Sequence, residues 1–356
     1  MANYSFKSLM PHPAPRRPSR RSSIREMAGY AGTTLGVSLV IALALFSLPT
    51  VIAIDVKFSA KGAPKPAFPV TVDPQRQVIV EDPSIDTLIT ESHESGLTAS
   101  LGDVGVVIRQ LASFISALPA YKMLAGAAGA NLVTIRPGYR EEEVINVFAR
   151  ELGWSDAERR VFERSLHVAA PIMKEGMYVP DTYAVRGLMT PGDVQLMLNE
   201  NFNHEILARY STSTAARVPL DDALTIASML EKETKDPAEM RMISGIIWNR
   251  LWKGMNLQID ATLQYAKADT DSKVKTWWPP VVPKDKYIKS PYNTYQNKGL
   301  PPGPIANPSV AAVIAALNPK KTDCLFYFHD KKGEFHCAAT YKEHVALLKK
   351  YYGQGK

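Results

Sequence analysis

The stretch that decides the fold runs from Asp221 to Asp260 and reads DDALTIASMLEKETKDPAEMRMISGIIWNRLWKGMNLQID. Its apolar residues recur at three- and four-residue steps, which predicts two amphipathic helices separated by a break. The apolar face of the first helix includes Ile226 and Leu230 and ends in the carboxylate of Glu233. This stretch therefore predicts a helix that carries an acidic group at the end of its buried face.

The second helix has clear start and stop signals. Asp236 is its predicted N-cap, Pro237 occupies the first helical position, and Glu239 completes the pattern of a capping box. Gly254 is the predicted end. The expected buried stripe consists of Met240, Ile243, Ile247 and Leu251.

A carboxylate at the end of a buried stripe lies in apolar surroundings, which raise its pKa. Glu233 is therefore a candidate general acid at neutral pH. The alternative is a solvated glutamate near a helix end, paired with Lys232 or Lys235. Periodicity alone leaves both interpretations open.

Several segments before, within and after this stretch match the motifs of one protein family, in the same order along the chain. Together they resemble the MltG (YceG-like) family of endolytic murein transglycosylases. The matching segments are EGMYVPDTY (175–183), ASMLEKET (227–234), NRL (249–251), GMNLQIDATLQYA (254–266) and SPYNTYQNKGLPPGPIANPS (290–309).

The resemblance implies an α+β membrane-anchored enzyme that cuts peptidoglycan glycan strands internally, without a cofactor or metal. It also implies that Glu233, the second glutamate of the E-K-E-T motif, is the catalytic residue, acting first as general acid and then as base. Penicillin-binding proteins of the elongation or division machinery are implied as partners. Two alternatives stay open: a lysozyme-like hydrolase with Asp260 as second carboxylate, and a glycan-binding protein without catalysis.

The same motifs imply a set of substrate contacts, most of them amides, hydroxyls and aromatic rings suited to a sugar polymer. For the turn at 175–183 and the loop at 290–309, a purely structural role is the alternative. Family members usually have Asp-Pro-Thr where this chain has Asp-Ala-Thr at 260–262. The expected contacts are Glu175, Asp181, Tyr183, Asn249, Gln258, Asp260, Thr262, Tyr292, Asn293, Thr294 and Tyr295.

Composition adds little to this function. The 356-residue chain carries a formal net charge of +7, and six basic residues against one acidic residue lie within 1–27. The basic charge is thus concentrated in a tail, and no nucleic-acid motif is present, so we expect no nucleic-acid partner.

Five regions are expected: charge, proline and apolar content separate the first three, and the resemblance to the YceG-like family implies the last two. They are a disordered cytoplasmic tail (1–27), a transmembrane helix (28–54), a semi-extended Pro-rich linker (55–103), a LysM-like unit with flanking helices (104–170) and the catalytic domain (171–356). Because the arginines precede the apolar run, the N-terminus is expected in the cytoplasm and the catalytic domain outside the plasma membrane. A cleaved signal peptide and a buried core helix are the alternatives to an anchor.

The LysM-like prediction rests on LVTIRPGYREEEVINVFARELG (132–153), which reads as strand, Pro-Gly turn and helix. Glycan binding and a purely structural β-α unit are both open. A short hairpin is expected from VTV (70–72) and VIV (78–80). Trp277 and Trp278 could stack on sugar rings or be buried.

A second hairpin is predicted from Cys324 to Thr340. With a loop at 330–333, Cys324 faces Ala339 and Cys337 faces Phe326, so the cysteines are diagonal and too far apart for an easy disulfide. An oxidising compartment would permit the bond, so the pairing is left open. Two cysteines without a nearby histidine pair do not predict a zinc site.

Overall fold

The computed structural model describes residues 37–44, 47–48, 65–92, 107–108, 111–112, 114–115, 118, 121, 130–168, 172–186, 189–270 and 276–353. Residues 1–48 form one unit and residues 49–356 a second, larger one. The description below concerns the second unit unless stated otherwise.

The larger unit is a mixed α+β structure. Its helices are α1 (Ser84–Ser92), α2 (Glu141–Leu152), α3 (Asp156–Val168), α4 (Pro191–Glu205), α5 (Thr212–Arg217), α6 (Leu220–Glu233), α7 (Pro237–Trp252), α8 (Asp260–Thr270), α9 (Val310–Leu317) and α10 (Tyr341–Tyr352). Its strands are β1 (Val72–Asp73), β2 (Val78–Ile79), β3 (Ala130–Thr134), β4 (Thr182–Arg186), β5 (Phe326–His329) and β6 (Phe335–Ala338). Each sheet is an antiparallel pair, in the order β1-β2, β3-β4 and β5-β6.

Helix α9 lies at the centre of the core. Ala311 to Leu317 are all buried, and the helix packs against α6, α7 and α1. A helix that is apolar on every side is stable in water only when other elements surround it. The side-chain hydroxyl of Ser309 accepts the N–H of Ala312 and caps the start of α9.

The two predicted central helices form as α6 and α7. The carboxylate of Asp236 accepts the N–H groups of Ala238 and Glu239, so it is the N-cap of α7. The predicted capping box is wrong, because Glu239 bonds the hydroxyl of Thr234 instead of the N–H of Asp236. That N–H is satisfied by the same Thr234 hydroxyl.

The strand-turn-helix unit at 132–153 forms as β3 and α2. Strand β3 pairs with β4 in a register that places Leu132 opposite Ala184, and α2 packs against β3. Strand pairing therefore crosses the predicted boundary between residues 170 and 171, because β4 completes the β-α unit.

The predicted semi-extended linker needs correction over its described part. Residues 65–92 include the β1-β2 hairpin and α1, and Phe68, Val72 and Ile85 are buried in the common core. Asn318 donates to the carbonyl of Pro69, which ties this segment to the end of α9. Apolar residues between the prolines give the segment a face to bury, so it docks instead of remaining extended.

The prediction for the second hairpin is wrong in register by one residue. Tyr327 faces Cys337 and His329 faces Phe335, which leaves a five-residue loop at 330–334. The carboxylate of Asp330 accepts backbone N–H groups within this loop and holds the longer turn. Cys324 precedes the paired strand, where the chain can turn toward Cys337, and the two form a disulfide with Cα atoms 5.8 Å apart.

The predicted membrane anchor lies mostly outside the described residues. In the smaller unit, residues 37–44 are helical. Within the described parts of the chain, no helix has the length and apolar content needed to span a bilayer.

Gly245 in α7 provides a test of this packing. A Cβ at this position would overlap the carbonyl oxygen of Lys320 and approach the methyl group of Thr322 at 3.1 Å. Since backbone cannot move aside cheaply, Gly245→Ala should lower the free energy of unfolding by about 2–3 kcal/mol, measured by urea denaturation. Gly192→Ala, also within a helix but open to solvent at 3.8 Å from its nearest neighbour, is the control. Equal stability of the two variants would contradict this packing.

Candidate active site

Glu233, at the end of helix α6, lies in a cleft at the molecular surface. Leu230 and Ile226, one and two turns before Glu233 on the same face, are fully buried. Glu233 is the last residue of the helix, and its side chain is half-buried. The sequence pattern therefore does place an acidic group where the buried face meets the solvent.

Tyr327 on β5 holds one oxygen of this carboxylate. Its hydroxyl donates to Oε2 of Glu233 at 2.9 Å. Burial raises the pKa of Tyr327 well above its usual range, so the phenol remains a proton donor. Oε1 of Glu233 makes no hydrogen bond to any described residue and is the oxygen available to a ligand.

The environment raises the pKa of Glu233, and burial is the largest cause. The hydrogen bond from Tyr327 acts in the opposite direction, the negative charge of Asp260 raises the pKa further, and the positive field of His329 lowers it. The net direction favours the protonated acid at higher pH than for a free glutamate.

Asp260 and Tyr295 form the wall that faces Glu233. Asp260 is the exposed first residue of α8, and the hydroxyl of Tyr295 donates to its Oδ1 at 2.6 Å. Two residues earlier, Gln258 has a positive φ of 54°, which is uncommon outside glycine. Strained backbone of this kind is often found at functional sites.

A buried hydrogen-bond network supports this wall. The hydroxyl of Thr294 accepts the N–H of Ile259 and lies 2.9 Å from the hydroxyl of Thr262. Asn293 donates to the carbonyls of Lys286 and Ile288, and its Oδ1 accepts the N–H of Tyr295. The hydrogen bonds of Asn293 and Thr294 thus fix the position of Tyr295 within the loop at 290–309.

The cavity beside Glu233 has a volume of about 490 Å³ and combines aromatic rings with polar groups. Its lining residues are Glu233, Arg250, Gln258, Asp260, Lys286, Tyr295, Phe326, Tyr327, Phe328, His329, Tyr341 and His344. This mixture is suited to a sugar, which presents flat apolar faces and many hydroxyls.

A second, larger space of about 1440 Å³, which we call the groove, also includes Glu233 in its lining. It is lined by β3, the Pro-Gly turn, α2, the end of α6 and Trp278. Glu233 borders both the cavity and the groove. A long substrate could therefore cross the carboxylate and extend to both sides.

Three of the predicted substrate contacts, Gln258, Asp260 and Tyr295, line the cavity with Glu233. Thr262, Asn293 and Thr294 are fully buried beneath it and act as supports. Their polar groups form hydrogen bonds with backbone groups and with one another, and the local sequence does not indicate these bonds.

Asn249 and Tyr292 lie outside the cavity lining. The amide of Asn249 donates to the carbonyls of Thr322 and Cys324 and anchors the approach to β5. The ring of Tyr292 packs on Tyr265, with centroids 4.7 Å apart.

The three predicted contacts in the turn at 175–183 lie on neither the cavity lining nor the groove lining, and they act as structural supports. Glu175 accepts the N–H of Glu141 and the amide of Asn307, and burial raises its pKa to about 8. The side chain of Asp181 accepts the N–H of the next residue. Tyr183 is buried and donates to the carbonyl of Val179.

The sequence interpretation missed Tyr327, His329, Arg250 and Lys286 as cavity residues. The hairpin was predicted, and a strand period of two places Tyr327 and His329 on one face. That period is the one signal in the sequence for Tyr327 and His329. Their distance to Glu233 depends on how the hairpin packs against α6, which the strand pattern does not indicate.

Asp330, Glu334 and His336 place their ligand atoms within 4.8 Å of one another at the hairpin loop. His336 bonds Asp330 and stacks on Tyr351, while Asp330 also holds the loop amides. These contacts account for the cluster as part of the hairpin.

Comparison with known proteins supports the similarity in the sequence motifs. The "Endolytic murein transglycosylase" of Bacillus subtilis (strain 168) is 36% identical over 178 residues, which cover 50% of this chain and 48% of that protein. The protein of the same name from Streptococcus pneumoniae serotype 2 is 30% identical over 174 residues, covering 48% of this chain and 31% of that protein. The chain thus matches about half, or less, of the length of these relatives.

A solved structure, a putative yceG-like protein from Listeria monocytogenes, has 28% sequence identity and a TM-score of 0.51. The match covers 62% of this chain and 76% of that one. The profile described as the YceG-like family matches residues 110–350. These residues contain Glu233, the cavity and the groove, and the chain therefore belongs to the YceG-like family.

Proposed function

We propose that this protein is a lytic transglycosylase that cuts peptidoglycan glycan strands within their length. The observation that carries the proposal is the position of Glu233, which borders both the cavity and the groove and is bonded by Tyr327. A cleft that continues on both sides of the reacting group accommodates the interior of a polymer. The names of the curated relatives point to the same activity.

The reaction requires one carboxyl group that acts twice. Protonated Glu233 gives its proton to the glycosidic oxygen as the β-1,4 bond from N-acetylmuramic acid to N-acetylglucosamine breaks. The ionised carboxylate then removes the proton from the C6 hydroxyl of the same muramic acid, whose oxygen bonds to C1 and closes a 1,6-anhydro ring. No water is consumed, and the raised pKa of Glu233 suits the first step.

Two alternatives give different products. In a lysozyme-like hydrolysis, Asp260 would assist and water would add, which leaves reducing ends. A glycan-binding protein would leave the strands uncut. Digestion of purified peptidoglycan followed by mass spectrometry separates these cases, since anhydro ends are lighter than reducing ends by one water. Anhydro ends support the proposal, whereas reducing ends alone or intact strands contradict it.

We expect Glu233→Gln to abolish the release of anhydro-ended fragments, because the amide cannot exchange the required proton. The pKa of Glu233 is higher in the folded than in the unfolded chain, so its ionisation costs stability as the pH rises above the unfolded value of about 4.3. The variant should therefore melt no lower than the wild type at neutral pH. Fragment release and the melting temperature are the two measurements.

Glu231→Gln is the matched control. Two residues along a helix are about 200° apart, so Glu231 faces away from the cavity. Its Oε2 accepts the N–H and the hydroxyl of Ser309. This variant should keep most of its activity and lose up to about 1 kcal/mol of stability from the weakened start of α9. An inactive but stable Glu231→Gln together with an active Glu233→Gln would contradict the assignment.

Tyr327→Phe tests the hydrogen bond to Glu233. The bond lowers the pKa of that carboxyl, so its loss should raise the pKa and shift the alkaline limb of the kcat profile to higher pH. We expect kcat at the optimum to fall about ten-fold, since a hydrogen bond to a charged group contributes on the order of 1.5 kcal/mol. Tyr341→Phe removes another hydroxyl from the cavity and should not move the limb. Identical limbs in all three proteins would contradict the role of Tyr327.

We further propose that the enzyme is anchored in the plasma membrane by residues 28–54 and acts outside the cytoplasm, with penicillin-binding proteins as partners. The arginine-rich tail before an uncharged apolar run supports this topology. A periplasmic reporter fused after Lys356 should be active, and a cytoplasmic reporter at the same place should be inactive. The reverse pattern would contradict the topology.

A further inference from the structure

The larger groove is lined by four basic and four acidic residues, and the proposed chemistry uses only one of them, Glu233. Arg136 lies in the turn after β3, and Lys232 and Lys235 flank Glu233 in sequence. All three side chains line the groove together with Trp278. We call this set the cationic groove.

The carboxylates that share the groove are already bound elsewhere. Glu231 is held by Ser309, and Glu143 accepts the N–H of Arg140 and the indole N–H of Trp278. Glu151 lies within ion-pair distance of Arg150 at 3.2 Å. The fourth carboxylate of the lining is Glu233, which accepts the hydroxyl of Tyr327, so all four have a partner.

None of the described residues forms an ion pair with these three cations, although the charges of Glu143 and Glu231 act on the half-buried Lys232. Among the residues that the structure describes, no carboxylate lies within ion-pair distance of Arg136, Lys232 or Lys235. Arg136 and Lys235 are exposed. The ammonium of Lys232 lies 3.5 Å above the ring of Trp278 and donates weakly to the carbonyl of Gly138. The groove can thus offer the exposed Arg136 and Lys235 to an anionic ligand, with the half-buried Lys232 on the same lining.

The charges that act on Glu233 are those of Asp260 and His329, on the cavity side. An effect on the pKa of Glu233 therefore does not explain why these cations line the groove. Its volume of about 1440 Å³ also exceeds the range of about 300–1,000 Å³ that is usual for a small ligand. An extended or branched ligand would fill it better.

Peptidoglycan supplies such a ligand. Each muramic acid carries a peptide stem on its lactyl group, and free carboxylates lie along and at the end of that stem. A glycan chain whose lactyl groups are all amidated to stems has no charge of its own, so cations next to the reacting group would contribute little to binding the sugars alone.

We infer that the cationic groove binds the carboxylates of the peptide stem carried by a muramic acid close to Glu233, so that the enzyme selects stem-bearing strands. This inference rests on the proposed transglycosylase activity. The cavity with Asp260 and Tyr295 would then hold sugars, and the groove with Arg136 and Lys235 would hold the stem. Guanidinium groups pair well with carboxylates, which suits Arg136 to this task.

The test compares two forms of one substrate. Uncrosslinked strands with intact stems are cut in parallel with strands from which an amidase has removed the stems. The amidase hydrolyses the amide between the lactyl carbonyl and the stem, so each stripped muramic acid has one lactyl carboxylate in place of the carboxylates along and at the end of the stem. The full-length protein is used, and the initial rate at which anhydro ends form is measured on each substrate.

For the wild type we expect cleavage of the stem-bearing strands to be about ten-fold faster in kcat/KM. The double variant Arg136→Gln/Lys235→Gln should lose most of this preference, because two exposed charge pairs together contribute on the order of ten-fold. Its rate on stripped strands should equal that of the wild type, which shows that it folds and cuts. Lys253→Gln, an exposed lysine on neither lining, should retain the preference.

Equal rates of the wild type on both substrates would overturn the inference, as would an unchanged preference in the double variant. Both of these results leave the proposed function intact, because anhydro ends still form. The absence of anhydro ends from both substrates would contradict the proposed function itself and this inference with it.

Discussion

The hydrogen bond between Tyr327 and Glu233 is the interaction on which the site depends. It joins the end of α6 to the β5-β6 hairpin, and the second carboxyl oxygen of Glu233 has no hydrogen bond to the described residues. Burial and Asp260 favour the protonated carboxyl, whereas the bond from Tyr327 stabilises the ionised form. A group that must first give and then take a proton needs both forms within reach, and these opposing influences provide that balance.

The rest of the fold keeps the two ends of this bond in place. Helix α9 lies buried against α6 and α7, and Glu231 binds its first turn through Ser309. Arg250 on α7 donates to the carbonyls of Leu325 and Leu257, so one guanidinium ties the start of β5 to the segment before α8. Loss of the Arg250 bond to Leu325 would move the hairpin relative to Glu233, and loss of its bond to Leu257 would move the facing wall.

Local features were predictable from the sequence. The position of Glu233 follows from a helical period, and the N-caps Asp236 and Ser309 follow from residue type. The β-α unit and both hairpins follow from turn residues and strand patterns. These predictions succeed because each depends on residues that are close together in the sequence.

The failures have a common physical origin. Asn293 and Thr294 have the residue types of a sugar site, but their polar groups satisfy buried backbone, which depends on distant segments. Tyr327 was missed because its role depends on the docking of a hairpin 94 residues away in sequence. The one-residue register error arose from Asp330, whose carboxylate stabilises a longer loop than the residue spacing suggests.

The pKa of the Glu233 carboxyl is the most direct measure of this account. It can be obtained by NMR titration of protein labelled with ¹³C at glutamate carboxyls, with the signal assigned by its loss in Glu233→Gln. The account predicts a midpoint clearly above the ordinary value of about 4.3. A midpoint at or below that value would mean that Glu233 is ionised at neutral pH, and this would contradict its role as the general acid.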